Sequence, residues 1–347
     1  MTDLVRPVPV AELDEVLQLT APQVWAGLRN QSVFLTGGTG FVGKWLLECL
    51  LHAEHVLKLG LTLTVLTRDP DRFTQGSPRL AKAAAVELLK GDIADFALPR
   101  RPFSSVIHAA LPVAPSQSTA GDLEKLAVAG ARRACALAAA SGAHRFLHIS
   151  SGAVYGSTTG AQAFGEDQPW SEADDTNAYT RAKRGAESVV SEVWPFDVVI
   201  ARCFAFLGPY LQGTSGAALA QFVEQAVHGK GIVVQGTGEA VRSYQYASDM
   251  ARWLLSCLVL GASGRAYNVG GDAAVTIAQL ADEVTRVAGT GIPVHVAGQP
   301  ARGLAGPRYV PSLRRATEEL GLVNAVGLEE GIRRTLSWHA PLESALD

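Results

Sequence analysis

The segment Thr36-Gly-Gly-Thr-Gly-Phe-Val-Gly43 decides the fold, because it joins a short apolar run to a stretch of helical periodicity. The run Ser32–Thr36 before it is typical of a buried strand, and Lys44–Leu57 after it carries apolar residues at helical spacing. Glycines in such a turn permit tight bending, close approach of a pyrophosphate and close packing of the helix on the strand. We therefore expect a dinucleotide whose pyrophosphate lies at the helix N-terminus, rather than a merely structural turn. The glycines concerned are Gly37, Gly40 and Gly43.

Strands and helices alternate along the first two thirds of the chain. Further strands are predicted at Leu61–Thr67, Ala85–Leu89, Ser105–Ile107, Phe146–Ile149 and Val198–Ala201, and further helices at Asp122–Ser141 and Ala178–Val193. This alternation predicts the α/β class, with a Rossmann-type, doubly wound parallel sheet covered by helices on both faces.

The last third of the chain breaks this pattern after about Pro209. Glycine-punctuated segments alternate there with helices near Ala217–His228, Ile277–Ala288 and Leu313–Leu320. We expect a smaller C-terminal substrate-binding lobe. The chain then divides into an N-terminal extension (1–30), a mainly NAD(P)-binding domain (31–208) and a mainly substrate-binding lobe (209–347), with some chain crossing back to the sheet.

Composition excludes several classes of protein. The chain has 347 residues, 48% apolar and 18% charged, with a net charge of -3 and no basic run, so neither nucleic acid nor an anionic membrane is indicated as a partner. No apolar run reaches the ~18 residues of a membrane span, and Met1–Asn30 lacks the pattern of a signal peptide. Four cysteines lie scattered without metal-ligand spacing, which favours buried free thiols, a cytoplasmic location and no metal site.

Residues that follow the next strands are candidates for the cofactor site. Arg68 follows the second strand, where an acid would hold the adenosine ribose; a guanidinium suits a 2′-phosphate instead and favours NADP over NAD. The alternative is that Arg68 stacks on adenine while Asp69 serves the ribose. Asp92, in Gly91-Asp92-Ile93, is placed to accept a hydrogen bond from the adenine amine. The small residues of His108-Ala109-Ala110 would let the cofactor lie against the backbone.

Tyr179-Thr-Arg-Ala-Lys183 places a phenol and an ammonium four residues apart, on one face of the predicted helix Ala178–Val193. An ammonium near a phenol favours the phenolate and lowers its pKa, which suits an acid/base catalyst. Such pairs also arise by chance on solvated helix faces. The pair gains meaning from the glycine turn and from the serines at Ser150 and Ser151.

From about Ser32 to Trp338 the chain resembles the extended short-chain dehydrogenase/reductases, which include nucleotide-sugar epimerases, dehydratases and reductases. The motifs that carry the resemblance occur in the family's order: the glycine turn, Gly-Asp-Ile, His-Ala-Ala, Ser-Ser-Gly-Ala-Val-Tyr-Gly (150–156) and Tyr-x-x-x-Lys. The resemblance implies that Tyr179 is the general acid/base and that Lys183 holds the nicotinamide ribose and lowers the tyrosine pKa. It implies that Ser151 hydrogen-bonds the substrate oxygen, whereas Ser150 ends the strand.

Three later segments resemble the nucleotide-sugar members of the family: Arg202–Pro209, Arg242–Asp249 and Tyr267–Gly270. The resemblance implies that Arg242 contacts the nucleotide diphosphate, with either Arg302 or Arg308 as a second ligand; a surface salt bridge is the alternative for each. It also implies a homodimer built from the helices Asp122–Ser141 and Ala178–Val193. The cofactor set is Gly37, Gly40, Phe41, Val42, Gly43, Arg68, Asp92, Ile93, His108, Ala109, Ala110, Tyr179 and Lys183; the substrate set is Ser151, Gly152, Arg242, Arg302 and Arg308.

Four residues depart from the family's pattern. Ala127 and Ala205 stand where asparagines are usual, so the substrate is not held in the usual way at these points. Gly152 and Ala153 stand where 4,6-dehydratases carry Asp-Glu, and neither residue supplies the acid and base that dehydration needs. We expect an NAD(P)-dependent nucleotide-sugar epimerase or 4-ketoreductase. The alternatives are an NADPH-dependent reductase of a non-nucleotide carbonyl compound, a nucleotide-sugar 4,6-dehydratase, and a cofactor-binding protein that has lost catalysis.

Overall fold

The computed structural model describes residues 6–111, 120–156, 162–170, 177–212, 217–289, 291–298 and 306–341. Its centre is a seven-stranded sheet. Numbered in chain order, the strands are β1 (Ser32–Thr36), β2 (Thr62–Thr67), β3 (Val86–Lys90), β4 (Ser105–His108), β5 (Arg145–Ser151), β6 (Asp197–Cys203) and β10 (Arg265–Val269). They lie in the order β10-β6-β5-β4-β1-β2-β3, and every neighbouring pair is parallel. The predicted doubly wound parallel sheet is confirmed, and β10 shows where the last third of the chain returns to it.

Helices cover both faces of this sheet, over two separate apolar cores. The helices α3 (Phe41–Leu57) and α9 (Ala247–Leu260) bury one face, and α6 (Ala120–Ser141) and α7 (Ala178–Val190) bury the other. Successive residues of a strand point to opposite faces, which is why Phe34 and Leu35 belong to different cores. The helices α6 and α7, from which the resemblance builds a homodimer, pack against each other here, and the dimer itself stays a prediction.

The smaller lobe is built around β9 (Val241–Tyr246). This strand pairs with β7 (Ala205–Leu207), β11 (Ala274–Thr276) and β13 (Arg308–Tyr309), while β8 (Ile232–Val234) pairs with β12 (Val294–Val296). The helices of the lobe are α8 (Ala218–Val227), α10 (Ile277–Ala288), α11 (Arg314–Leu320) and α12 (Leu328–His339). Because β7 follows β6 directly and pairs with β9, the lobe lies next to the carboxyl end of the large sheet.

Three short helical segments follow strands of the large sheet. After β2 come α4 (Pro70–Gly76) and α5 (Pro78–Ala81), and a 3₁₀ turn, Gly152–Tyr155, continues directly from β5. In an open parallel sheet, ligands bind outside the carboxyl ends of the strands. These segments therefore border the region where a site is expected.

The described part of the N-terminal extension, from residue 6, forms two helices that the sequence did not predict. The helices α1 (Val10–Leu19) and α2 (Pro22–Gly27) supply apolar side chains to the same core as α3 and α9. The buried carboxylate of Glu12 accepts a hydrogen bond from the Tyr246 hydroxyl at 2.6 Å, and Arg334 of α12 pairs with Glu15 at 2.7 Å. The N-terminal segment therefore contacts both the helix layer of the large sheet and the smaller lobe.

No helix in the described ranges is long and apolar enough to cross a membrane. Likewise, these ranges hold no group of three or more histidine, cysteine, aspartate or glutamate side chains that could bind a metal ion.

Candidate active site

Two glycines of the turn are required by backbone packing. Gly37 has a φ of +72°, and a Cβ added there would lie 2.7 Å from the carbonyl carbon of Ala109. A Cβ added to Gly43 would lie 2.3 Å from the carbonyl oxygen of Gly37. These glycines let the loop after β4 and the first turn of α3 pack directly on the glycine turn.

The third glycine, Gly40, has a different role. Its φ of -84° suits any residue, and the nearest atom to an added Cβ is the Gly37 carbonyl oxygen at 3.5 Å. Gly40 is the N-cap residue of α3 and has no side chain, so it makes no capping bond to the first N–H groups of the helix, near Phe41 and Val42. A pyrophosphate fits such a position, because the N–H groups and the helix dipole attract anions.

His108 joins two strands rather than facing a ligand. Its side chain is 2% exposed, and its Nδ1 lies 2.9 Å from the Oγ1 of Thr36, which also accepts from the Ala110 N–H at 3.1 Å. Burial, with a smaller contribution from Lys183, lowers the pKa of His108 to about 3. The imidazole is therefore neutral and structural. Of the predicted His-Ala-Ala set, the backbone of Ala109 and Ala110 is the part that adjoins the glycine turn.

Some of the residues predicted to bind the adenosine already form hydrogen bonds within the protein. Arg68 is exposed and forms no ion pair with any described residue. Asp69 caps α4, since its carboxylate accepts from the Arg72 N–H at 2.9 Å. Asp92 is half-buried and accepts from the Ala94 N–H at 3.0 Å, while Ile93 is buried in the core beneath α6. Arg68 is thus the uncommitted charge at the end of β2.

The three predicted catalytic residues converge at the carboxyl end of β5. Ser151 ends this strand, and Tyr179 and Lys183 lie in the first turns of α7. The Lys183 ammonium donates to the Ile149 carbonyl oxygen at 2.9 Å and lies 5.9 Å from the centre of the Tyr179 ring. Ser150 is buried and donates to a carboxylate of α7 instead. The structure brings Ser151, and not Ser150, to the tyrosine.

The pKa of Tyr179 differs in direction from the sequence-based expectation. Although 41% of the side chain is exposed, burial of its hydroxyl end raises the pKa, and the Ser151 hydroxyl offsets part of that effect. Lys183 is not among the groups that shift the Tyr179 pKa, and its ammonium is bonded to the Ile149 carbonyl oxygen. Burial lowers the pKa of Lys183 to about 8. Desolvation is therefore the main cause of both shifts.

Arg242 and Tyr309 extend the site into the smaller lobe. They are register partners on β9 and β13, and the Arg242 guanidinium lies 5.6 Å from the centre of the Tyr309 ring, a cation–π distance. The Tyr309 hydroxyl lies 3.3 Å from the Oγ of Ser151. Contacts thus run without a break from Arg242 to Ser151. Sequence reasoning missed Tyr309, because a two-residue strand carries no periodic pattern.

Of the other two predicted phosphate ligands, Arg308 does not join this group. Arg308 is the register partner of Val241, so its side chain lies on the face of β13 opposite to Tyr309. Arg302 lies outside the described residues. Arg242 is the predicted phosphate ligand that the described part of the chain places near Ser151.

Aromatic side chains close the site beside Ser151. The ring of Phe204 fills the space in front of Gly152, where an added Cβ would lie 2.5 Å from a ring carbon. The Phe204 ring centre lies 4.6 Å from that of Tyr309. We call these rings, with those of Tyr155 and Phe164, the aromatic wall. An aspartate at position 152 would require this wall to move.

A buried ion pair supports the turn that follows Ser151. Arg202 and Glu187 lie 2.8 Å apart, and the same guanidinium donates to the Tyr155 hydroxyl at 3.1 Å and to the Glu166 carbonyl oxygen at 3.0 Å. Tyr155 in turn donates to Asn268 at 2.7 Å. These bonds tie the 3₁₀ turn and the segment 162–170 to β6 and β10, so the aromatic wall is fixed by the sheet.

Comparison with known proteins places the chain among enzymes of related architecture. A sequence profile of the NAD dependent epimerase/dehydratase family matches residues 33–270. The chain is 27% identical over 324 residues to a dTDP-glucose 4,6-dehydratase of Streptomyces niveus, across 88% of this chain and 92% of that protein. It is 26% identical over 321 residues to UDP-glucuronic acid decarboxylase 1 of Xenopus tropicalis, across 89% and 72% of the two chains.

A solved structure supports the fold. A variant of UDP-glucuronic acid 4-epimerase from Bacillus cereus, in complex with NAD and UDP-4-deoxy-4-fluoro-glucuronic acid, matches with a TM-score of 0.74. The two chains are 18% identical, over 88% of this chain and 98% of that one, so the likeness is one of fold.

The profile covers more than half of the chain and includes the glycine turn, Ser151, Tyr179, Lys183 and Arg242. The chain therefore belongs to the NAD dependent epimerase/dehydratase family, as an enzyme of the extended short-chain dehydrogenase/reductase type.

Proposed function

We propose that this enzyme oxidises or reduces one carbon of a nucleotide sugar, as an epimerase or 4-ketoreductase rather than as a 4,6-dehydratase. One observation carries the proposal: Ser151, Tyr179 and Lys183 stand together, while the Phe204 ring fills the space in front of Gly152. The site thus has the groups for moving a proton at a reacting oxygen. It lacks room for a second acid beside them.

The residues present suit redox chemistry at a secondary alcohol. A bound nicotinamide dinucleotide would supply the hydride acceptor or donor, with its pyrophosphate at the N-terminus of α3. Oxidation removes a hydride from the carbon and a proton from its hydroxyl; Tyr179 takes that proton and returns it on reduction. Ser151 donates a hydrogen bond to the same oxygen. An epimerase returns the hydride to the opposite face of the carbon, whereas a ketoreductase consumes one reduced dinucleotide in each turnover.

A 4,6-dehydratase is the second candidate, because a relative at 27% identity bears that name. Eliminating water requires an acid and a base at two neighbouring carbons in addition to Tyr179. Gly152 and Ala153 carry no titratable group, and Phe204 occupies the place of a longer side chain at position 152. These observations support the epimerase or ketoreductase over the dehydratase.

The nucleotide part of the substrate is supported by Arg242. Its guanidinium is half-buried at the rim of the aromatic wall, and guanidinium groups bind phosphate oxygens with charge-assisted hydrogen bonds. The Bacillus cereus structure holds a UDP-sugar, which supports the same substrate class here. A non-nucleotide carbonyl substrate is the competing proposal, because Ala127 and Ala205 offer no polar side chain.

NADP is the proposed cofactor form. Arg68 is exposed and free of ion pairs with described residues, while Asp69 is committed to capping α4 and so is poorly placed to hold the ribose. The Bacillus cereus structure contains NAD, so the preference needs its own test. Arg68→Ala should raise the Kd for NADP about tenfold and leave that for NAD unchanged. An equal effect on both cofactors would remove the proposal.

Incubation with a panel of UDP- and dTDP-linked hexoses and their 4-keto forms, followed by mass spectrometry and NMR of the products, tests the function. An epimerase gives a product of unchanged mass, and a ketoreductase adds two hydrogens while oxidising the dinucleotide. Loss of one water would establish the dehydratase instead. Turnover of simple carbonyl compounds, with none of any nucleotide sugar, would establish the non-nucleotide reductase.

A further inference from the structure

We propose that Tyr309 is a positioning residue that forces Ser151 to act as a hydrogen-bond donor, toward Tyr179 in the free enzyme and toward the reacting oxygen when substrate is bound. The inference rests on the proposed function, in which Ser151 and Tyr179 handle the proton of a sugar hydroxyl. It assigns a role to a lobe residue that lies outside the Ser-Tyr-Lys set.

The position of Tyr309 is fixed from several sides. Its backbone pairs with Arg242 of β9, and its ring packs at 4.6 Å from Phe204 and 6.5 Å from Phe164. The Arg242 guanidinium covers another side of the ring at 5.6 Å. The hydroxyl is therefore held near Ser151 by packing, before any substrate binds.

The hydrogen-bonding capacity of Ser151 makes this placement consequential. A serine hydroxyl has one proton to donate and two lone pairs. The Ala153 N–H occupies one lone pair of the Ser151 Oγ at 3.2 Å. When the Tyr309 hydroxyl, at 3.3 Å, donates into the second lone pair, the serine can no longer accept. Its own proton must then point to another acceptor, and the Tyr179 hydroxyl is the group beside it.

A competing arrangement reverses this polarity. The Tyr309 hydroxyl also lies 3.4 Å from the Cys203 carbonyl oxygen, and donation to that oxygen would leave Tyr309 accepting the proton of Ser151. Ionisation of Tyr179 decides between the two arrangements. A hydrogen bond to a phenolate is charge-assisted. When Tyr179 is ionised, Tyr309 donates to Ser151 and Ser151 donates to Tyr179, and each of these two bonds strengthens the other.

Other titratable and charged groups lie around Tyr179 and Tyr309, and all of them remain when the Tyr309 hydroxyl is removed. Lys183 lies on the same helix as Tyr179, and Cys203 of β6 raises the tyrosine pKa. The Arg242 guanidinium lies 5.6 Å from the centre of the Tyr309 ring. Tyr309→Phe keeps the ring, its packing and these groups, so it isolates the hydroxyl.

The test titrates the tyrosines of the full chain by NMR, with carbon-13 at Cζ, in wild type and in Tyr309→Phe. Tyr179→Phe assigns the resonance of Tyr179. Without the Tyr309 hydroxyl, Ser151 is free to accept from a neutral Tyr179, so the pKa of Tyr179 should rise by on the order of one unit. Tyr267→Phe is the matched control, because the Tyr267 hydroxyl bonds to Glu319 and to the Ala262 N–H instead of to Ser151.

Ser151→Ala supplies a second comparison. If Tyr309 acts through the serine, the double variant Ser151→Ala/Tyr309→Phe should have the same Tyr179 pKa as Ser151→Ala alone. A structural disturbance would add to the serine effect instead. In turnover of a nucleotide sugar, Tyr309→Phe should lower kcat about tenfold near neutral pH and move the pH profile upward, with KM changed less than about threefold.

An unchanged or lowered Tyr179 pKa in Tyr309→Phe would overturn the proposal, and so would additive effects in the double variant. A rise in activity would show that Tyr309 had been accepting the serine proton. The titration needs no substrate, so it decides the role of Tyr309 even where no nucleotide sugar is turned over. A failure to turn over any nucleotide sugar would count against the proposed function alone, and not against the role of Tyr309.

Discussion

The cofactor side and the substrate side of the site are built in different ways. On the cofactor side, the eight consecutive residues Thr36–Gly43 form one motif, in which Gly37 and Gly43 pack against backbone atoms. On the substrate side, Ser151, Phe204, Arg242 and Tyr309 come from segments separated by tens of residues. A site made by neighbours in the chain leaves a readable motif. A site assembled by folding leaves single residues whose meaning appears only in their contacts.

Gly43→Ala should break the cofactor side and have the largest effect on stability. Its Cβ would lie 2.3 Å from the Gly37 carbonyl oxygen and 2.4 Å from the Gly38 Cα, and backbone cannot rotate away. We expect the free energy of unfolding to fall by about 2–4 kcal/mol, measured by denaturant titration. Gly40→Ala is the control, since the nearest atom to its Cβ is 3.5 Å away. It should cost less than about 1 kcal/mol yet weaken dinucleotide binding. Equal losses of stability in Gly43→Ala and Gly40→Ala would contradict the different packing of the two glycines.

Lys183, which belongs to both sides, should give stability a measurable pH dependence. Burial lowers its pKa from 10.5 to about 8, so between these values the folded chain releases a proton that the unfolded chain keeps. Stability from this group therefore rises with pH across that window. Relative to Lys183→Met, wild type should gain about 2 kcal/mol between pH 8 and pH 10, measured by parallel denaturant titrations. The cysteines are common to both proteins and cancel in this difference. A constant difference would show that the lysine is not desolvated.

Arg242→Ala should weaken the substrate side without impairing the chemical step. Removal of a charge-assisted contact to phosphate should raise KM for a nucleotide sugar by on the order of 10- to 100-fold, with kcat within a few-fold of wild type. Arg308→Ala is the matched control, because its side chain lies on the other face of β13. Steady-state kinetics of the two variants separate the roles. Similar KM values for Arg242→Ala and Arg308→Ala would mean that the substrate phosphate does not bind at Arg242.

Gly152→Ala should give the smallest effect and probes the aromatic wall. The added methyl meets the Phe204 ring at 2.5 Å and should cost about 1–2 kcal/mol of stability. When Phe204 is replaced by leucine, Gly152→Ala should lower the free energy of unfolding by less. The double-mutant cycle should then give a coupling energy of at least about 0.5 kcal/mol. Additive costs would mean that Phe204 does not fill this space.

Several elements could be predicted from sequence because their information is local. The strand β1, the glycine turn and α3 follow from a buried run, three glycines and helical spacing. The pair Tyr179 and Lys183 follows from one turn of helix. Each of the six predicted strands lies within one or two residues of its observed bounds.

The remaining features depend on contacts between distant segments. The strand Arg265–Val269 joins the sheet only by pairing with β6, and α1 is stabilised by a core shared with α9. Tyr309 acquires its position from β9 and Phe204. The sequence predicted a lowered pKa for Tyr179, whereas the structure raises it. The sequence shows the nearby ammonium but not the burial of both groups.

In the proposed function, Tyr179 moves the proton in a hydride-transfer site. The most direct measurement mixes the dinucleotide-loaded enzyme with a substrate from the nucleotide-sugar panel and follows formation or loss of reduced nicotinamide in a single turnover. Tyr179→Phe should fold and bind the dinucleotide as wild type does, yet react at least about 100-fold more slowly. Tyr267→Phe should react at nearly the wild-type rate. A Tyr179→Phe rate equal to that of wild type would show that Tyr179 does not move the proton.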